Sequence, residues 1–199
     1  MIQRGRDTRR ALLAAATEVV SERGVDGTSL RAVCDRAGVQ LPTLYHFYGD
    51  KKGLLDAVVN DAFARYLVEK DALRSTGNPS DDVRRGWDSH VDFARANPGI
   101  YPLMFPSGDR ALPTAALESA ARLRDGFALL ADKKALRPGI TAEQAARTLS
   151  AALRGVATAI ARDPDHPGNT LLSATVRDAV VDALVVGQQP GRKGSHDDS

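Results

Sequence analysis

Apolar residues recur along this 199-residue chain three or four positions apart, the spacing of amphipathic α-helices, and no useful stretch alternates like a β-strand. Leu12, Ala16 and Val19 mark the first apolar face. Asp7 or Thr8 would cap that helix. The same spacing returns in segment after segment, so the sequence predicts an all-α chain of about nine helices, three short ones and then a bundle of longer ones.

Capping and breaking residues set the expected helix boundaries. Proline and glycine interrupt the apolar faces, and Ser, Thr or Asp stands before many of them. Thr141 and Gln144 have the spacing of a capping box at the start of the eighth helix. The other expected helices, with a short apolar piece as the sixth element, cover about residues 8–23, 30–37, 41–48, 51–74, 81–97, 100–105, 114–130 and 170–186.

The second and third helices have the spacing of a helix-turn-helix. A tight turn at Gly38 and Val39 joins them, and the second helix of such a unit enters the major groove of DNA. Several side chains near this helix suit contacts with phosphates or base edges. They are Arg31, Thr43, Tyr45, His46 and Lys51.

Three aromatic residues crowd into four positions of the third helix. A helix this short cannot bury the rings of Tyr45, Phe47 and Tyr48 on one side, so at least one faces outward. We expect it to be Tyr45, whose hydroxyl could reach a phosphate. The alternative is that all three brace a small three-helix core.

The stretch TSLRAVCDRAGVQLPTLYHFYGDKKGLLDAV resembles the DNA-binding domain of TetR/AcrR-type transcriptional regulators. The shared features include the turn Ala37-Gly38-Val39, the run Pro42-Thr43-Leu44-Tyr45 and the later Lys51. The resemblance covers about residues 8–60, and beyond them only the helical plan and the length agree. It implies a homodimer in which helices one to three bind a double-stranded DNA operator and the remainder binds a small-molecule effector.

By position, the resemblance implies DNA contacts by Arg31, Gln40, Leu41, Thr43, Tyr45, His46 and Lys51. Two of these depart from the family pattern. Gln40 stands where a Ser or Thr cap is common and could read a base. Leu41 is apolar where polar residues are frequent, and could pack on a thymine methyl group. An arginine-rich arm could also enter a minor groove, or it could be a solvated terminus. This arm holds Arg4, Arg6, Arg9 and Arg10.

Charge and composition narrow the picture further. Residues 1–52 carry nine Lys/Arg and six Asp/Glu, a local excess that points weakly to a polyanion. The chain has a single cysteine, Cys34, so it cannot form an internal disulfide. We expect Cys34 to be a residue of the hydrophobic core. No apolar run approaches the ~18 residues that cross a bilayer, and no signal-peptide core is apparent, so we expect a cytoplasmic protein with no membrane partner.

The expected domains are a helix-turn-helix domain over residues 1–50, an effector-binding and dimerisation domain over 51–188, and a disordered tail over 189–199. Aromatic and apolar residues of the second domain could line an effector cavity, with hydrophobic core as the alternative for each. They are Phe63, Tyr66, Trp87, His90, Phe93, Tyr101, Met104, Phe105, Leu123 and Phe127.

The resemblance also makes the last two helices the dimer interface, and their many small residues would let helices approach closely. The apolar faces of these helices supply the candidate residues. They are Leu149, Leu153, Val156, Ile160, Leu172, Val176, Val180 and Leu184.

The leading hypothesis is a sequence-specific transcriptional regulator, expected to be a repressor, whose operator affinity responds to a small, largely apolar effector. No nucleotide fingerprint, nucleophile elbow or metal-ligand spacing is present, so neither a cofactor nor a metal is expected. The alternative hypothesis is a small helical ligand-binding protein or enzyme whose N-terminal helices only pack.

Overall fold

The computed structural model describes residues 2–106 and 113–186, with side chains from residue 5 onward, and this part of the chain is all-α. None of its helices is long and apolar enough to cross a bilayer. The expected tail, 189–199, lies outside the described residues. The helices are α1 (Ile2–Arg23), α2 (Leu30–Ala37), α3 (Leu41–Tyr48), α4 (Lys51–Asp71), α5 (Pro79–Ala96), α6 (Tyr101–Met104), α7 (Thr114–Asp132), α8 (Ala142–Arg162) and α9 (Asn169–Leu184).

The expected bounds of α2 and α3 are confirmed, as is the capping box of α8. The expected start of α1 is wrong. The helix begins at Ile2, upstream of the proposed caps Asp7 and Thr8, because no proline interrupts the preceding residues. The positions of Arg6, Arg9 and Arg10 therefore lie on a helix and not on an extended arm, while the side chain of Arg4 lies outside the described residues.

Two other boundaries also differ from expectation. α5 begins at Pro79, two residues before the expected start at residue 81, and the side chain of Asn78 accepts a hydrogen bond from the Ser80 amide. Proline suits this first helical position because its missing N–H would have no helical partner there. α4 ends at Asp71 instead of residue 74.

Buried apolar side chains form two clusters. The first joins α1, α2, α3, α4 and α6 with parts of α5, α7 and α8, and it includes Leu12, Leu44 and Phe63. The second joins α5, α7, α8 and α9 around Trp87 and Phe127. Since α4 contributes to the first cluster along much of its length, the N-terminal helices pack continuously against the start of the second expected domain. The division at residue 50 stays a prediction.

Gly99 lies where the turn between α5 and α6 presses on the end of α1. A Cβ atom added at Gly99 would lie 2.7 Å from the carbonyl oxygen of Val20 and 2.8 Å from the Cα atom of Ser21. Only a residue without a side chain fits this approach of two backbones. The contact ties the N-terminal helices directly to the element that carries Tyr101.

Polar contacts hold α5 against α9. Arg177 contacts the carboxylate of Asp88 at 2.8 Å, and Arg84 contacts Asp178 at 3.0 Å. These ion pairs are partly exposed, so each contributes at most about 1 kcal/mol to the free energy of unfolding. The buried indole of Trp87 donates a hydrogen bond to the hydroxyl of Ser173 at 3.0 Å, which fixes the orientation of this ring.

We predict that Gly99→Ala lowers the free energy of unfolding by about 1–3 kcal/mol, because the added methyl group overpacks the backbone of α1. Denaturant unfolding of the full chain measures the change. Gly126→Ala is the matched control, since a Cβ at this helical glycine meets nothing within 4 Å and alanine favours helix. Equal stability of the Gly99→Ala variant and the parent chain would contradict the prediction.

Candidate DNA-binding surface and ligand cavity

The helix-turn-helix begins with a side-chain cap and turns on a left-handed glycine. The hydroxyl of Ser29 accepts a hydrogen bond from the Ala32 amide at 3.1 Å, so α2 starts where the sequence indicated. Gly38 ends α2 at φ 67°, a conformation that favours glycine. The Val39 amide then donates to the carbonyl of Cys34 at 3.0 Å. With Leu44 buried, the turn sets which face of α3 points outward.

The outward face of α3 carries the polar residues expected there. Tyr45 is 49% exposed, which confirms that this ring faces outward. His46 is also exposed, and Thr43 is partly exposed. Gln40 occupies the N-cap position but its side chain makes no capping hydrogen bond, so its amide is free to contact a base. Arg31 is exposed on α2.

The other two aromatic rings of α3 pack partly against the first hydrophobic cluster. The hydroxyl of Tyr48 donates to the carbonyl of Arg9 at 2.8 Å, and the Arg9 guanidinium lies 5.8 Å from the centre of the Tyr48 ring. Phe47 is likewise partly buried. Of the three rings, that of Tyr45 therefore points outward, whereas those of Phe47 and Tyr48 pack against the N-terminal helices.

Two of the residues expected to contact DNA already have contacts within the chain. Leu41 is partly buried and packs against the first cluster, because α3 turns this position toward α2. The ammonium of Lys51 donates to the carbonyl oxygen of Val25 at 3.1 Å. An ammonium has three N–H donors, so Lys51 keeps capacity for a phosphate while anchored in this position.

A cavity of about 420 Å³ opens between α4, α5, α7 and α8. This volume lies in the range of small-molecule sites. The cavity wall includes six of the residues that the sequence suggested. They are Tyr66, Trp87, His90, Phe105, Leu123 and Phe127.

Four suggested residues do not line this cavity. They belong to the first hydrophobic cluster. The four are Phe63 on α4, Phe93 on α5, and Tyr101 and Met104 on α6. The sequence could not separate them from the lining residues, because core and cavity positions share the same helical spacing.

A buried imidazole provides the polar end of the cavity. His90 Nδ1 lies 2.9 Å from the hydroxyl of Tyr66, and His90 Nε2 lies 2.8 Å from the hydroxyl of Tyr101. Burial, together with the nearby positive charges of Lys70 and Arg154, lowers the pKa of His90 to about 3. The ring is therefore neutral near pH 7.

Sequence reasoning missed the charged residues of the cavity wall. Lys70 and Arg154 both line the cavity. Lys70 lies one helical turn after Tyr66, and Arg154 directly follows Leu153. Burial lowers the pKa of Lys70 to about 8. The spacing of Phe63, Tyr66 and Lys70 on one face of α4 was the signal that could have found it.

The apolar residues proposed for the dimer interface require a correction. Five of them are buried inside a single chain, mostly within the second cluster, so they are not available to a partner. These five are Leu149, Leu153, Val156, Ile160 and Leu184. Val176 and Val180 are partly buried in the same cluster, and Leu172 is 40% exposed. The faces of α8 and α9 that do point outward carry Ala151, Gly155 and Ala159, and Leu171, Leu172 and Ala179.

Residues 12–58 match the family described as "Bacterial regulatory proteins, tetR family". The tetracycline repressor protein class D of Escherichia coli is 36% identical over 58 residues, which span 29% of this chain and 27% of that protein. The HTH-type transcriptional activator FasR of Mycolicibacterium smegmatis is 33% identical over 102 residues, which span 50% and 47% respectively. The chain thus matches less than half the length of these curated relatives.

The fold is similar over nearly the whole chain to solved structures. A structure from Shewanella sp. PV-4, described as that of a tetR family transcription regulator, superposes with a TM-score of 0.68, covering 90% of this chain and 98% of that one at 16% identity. At this identity the likeness establishes the shared helical fold and no more.

We predict that Gly86→Leu weakens the binding of octan-1-ol by about tenfold, because the new side chain occupies the cavity. A Cβ at Gly86 meets nothing within 4 Å, so the backbone of α5 has room for a side chain at this position. Emission of Trp87, the only tryptophan of the sequence, reports binding from the cavity wall. Arg85→Leu is the control on an exposed neighbouring position, and equal weakening by both variants would place the binding elsewhere.

Proposed function

We propose that this chain, whose residues 12–58 match the tetR family, is a TetR-type transcription regulator, and specifically a homodimeric repressor whose operator affinity responds to a small, largely apolar effector. Its relatives are described as a repressor and a transcriptional activator, which favours a regulator over the alternative of a helical ligand-binding protein or enzyme. The observation that carries the proposal is the outward face of α3 beside a separate cavity in the C-terminal helices.

The proposed operator contacts are the exposed polar residues around α3. Gln40 and His46 would meet base edges, while Thr43, Tyr45 and Lys51 would hold phosphates. Arg31 supports this arrangement because it is exposed and has no carboxylate partner within the described residues. The salt-bridged Arg36, by contrast, is held by Glu22 at 2.7 Å, so it is not a candidate.

A dimer would form through the outward faces of α8 and α9. Ala151, Gly155 and Ala159 follow one another at four-residue spacing on α8, so a second helix could approach closely there. Leu171 is 73% exposed and Leu172 is 40% exposed on α9, which supplies apolar area for burial. A two-fold axis through these faces would hold two α3 helices at a fixed separation.

The effector would act by favouring one of two positions of the DNA-binding helices. α4 runs from Lys51 beside the helix-turn-helix to Lys70 at the cavity. The turn at Gly99 provides a second connection, since it presses on the end of α1. A ligand that shifts α4 or α6 would therefore move both attachments of the N-terminal helices.

The repressor assignment rests on the tetracycline repressor among the relatives. FasR carries the opposite description, a transcriptional activator. A reporter gene controlled by an operator selected from genomic fragments distinguishes the two roles. Deleting this protein raises reporter expression if the protein is a repressor and lowers reporter expression if the protein is an activator.

We predict that Lys51→Met weakens DNA binding on every sequence and lowers the slope of log K against log salt by about one, because one phosphate contact is lost. Fluorescence anisotropy with an operator selected from genomic fragments measures both quantities. Gln40→Ala should instead change base preference and leave the salt slope unaltered.

Lys52→Met is the matched control for Lys51→Met. The neighbouring Lys52 is exposed and paired with Asp56 across one turn of α4, so we expect its loss to leave the slope unchanged. Equal effects of the two substitutions would remove the specific phosphate role of Lys51. Absence of salt-dependent DNA binding by the parent chain would favour the alternative, a helical ligand-binding protein.

We predict that Ala159→Glu converts the dimer to a monomer, because a carboxylate would be buried against its symmetry mate in a close helix contact. Analytical ultracentrifugation then gives the mass of one chain instead of two. Ala128→Glu on the exposed side of α7 is the control. A dimer that persists in the Ala159→Glu variant would exclude this face of α8 as the interface.

A further inference from the structure

Burial determines which groups donate and which accept in the hydrogen bonds of His90 at the polar end of the cavity. Tyr101 is 1% exposed, and the only hydrogen-bond partner of its hydroxyl within the described residues is His90 Nε2, at 2.8 Å. If the hydroxyl accepted from this nitrogen, its own hydrogen would be buried without a partner, which is costly. The Tyr101 hydroxyl therefore donates to Nε2.

The neutral imidazole then carries its proton on Nδ1. This N–H donates to the hydroxyl oxygen of Tyr66 at 2.9 Å. The Ser119 hydroxyl also donates to the Tyr66 oxygen, an interaction that favours the ionised form of Tyr66. The hydrogen of Tyr66 is therefore directed away from both donors and into the cavity that Tyr66 and Ser119 line. The chain from Tyr101 to Tyr66 thus presents a hydrogen-bond donor at the cavity wall.

Lys70 adds a positive charge at the same end. Its ammonium lies 5.3 Å from the centre of the Tyr66 ring and donates to the carbonyl of Gly86. No carboxylate of the described residues lies within 4.0 Å of this ammonium. Two N–H donors of Lys70 remain for a ligand.

The carboxylates that line the cavity are already engaged. Asp71 contacts Arg122 at 3.3 Å, and Asp82 accepts from the amide of Thr76 at 2.6 Å and from the hydroxyl of Ser75. Arg154 lines the wall with no carboxylate partner among the described residues, its Nε atom donating to the Ser150 carbonyl at 3.3 Å. The net character of this end of the cavity is therefore cationic and rich in donors.

We propose that the cavity binds a small apolar monocarboxylate, whose carboxylate accepts hydrogen bonds from Lys70 and Tyr66 and whose apolar part contacts Trp87 and Phe127. An amine would meet the charge of Lys70, and a neutral donor would find no free acceptor in the Tyr66 hydroxyl. The inference names the effector class of the proposed regulator and rests on that proposed function for its regulatory meaning.

The test compares matched acids and alcohols on the full chain. Isothermal titration measures the affinities of octanoate and 4-phenylbutyrate against octan-1-ol and 4-phenylbutan-1-ol. We expect each acid to bind at least about tenfold more tightly than its alcohol, the gain from a charge-assisted hydrogen bond. Lys70→Met should remove this preference and leave the alcohol affinities within about twofold, because its side chain keeps nearly the same length.

Two further variants separate charge from structure. Tyr66→Phe should lower the acid affinity several-fold while circular dichroism shows an unchanged helical fold, since the ring stays in place. Lys133→Met removes an exposed lysine after α7 and should leave the preference for acids intact.

The inference is overturned if neither acid binds the parent chain, if the alcohols bind as tightly as the acids, or if Lys70→Met retains the preference. Its failure is distinguishable from failure of the proposed function, because the titrations contain no DNA. A chain that binds an operator but not the acids retains the regulator proposal alone. A chain that prefers the acids but binds no DNA retains the carboxylate site alone.

Discussion

The buried imidazole of His90 is the constraint on which the arrangement of the cavity depends. It joins Tyr66 on α4 to Tyr101 on α6 through hydrogen bonds of 2.9 and 2.8 Å. Burial keeps the ring neutral, with its pKa near 3, so each nitrogen has a definite donor or acceptor role. Buried polar groups are costly to leave unpaired. Moving α4, α5 or α6 by itself would therefore break one of these hydrogen bonds.

The same interaction connects the cavity to the DNA-binding helices. Tyr101 follows Gly99, whose backbone rests on α1, and Tyr66 belongs to α4, which begins at Lys51 beside the helix-turn-helix. A ligand at Tyr66 would thus act on two elements that reach the N-terminal helices by different routes. Close backbone packing makes such a connection stiff, since there is no side chain at Gly99 to absorb a displacement.

The charged residues differ in whether they form ion pairs within the chain. Arg84 and Arg177 are used internally to hold α5 against α9. Arg31 on the helix-turn-helix has no carboxylate partner within the described residues, and neither does Lys70 at the cavity. We propose that each of these two groups binds an anion, a phosphate at Arg31 and a carboxylate at Lys70.

The sequence by itself determined the helical order, the turn between α2 and α3 and the outward position of Tyr45, but not every helix boundary, because local rules govern turns and caps more strictly than helix ends. The caps at Ser29 and Thr141, and the left-handed glycine at 38, act within a few residues of the chain. Tertiary structure alone decided which apolar residues form core and which line the cavity. Phe63 and Tyr66 lie one turn apart on α4, yet only Tyr66 reaches the cavity. Helical periodicity gives a direction around one helix, whereas burial and cavity lining depend on which other helices pack there.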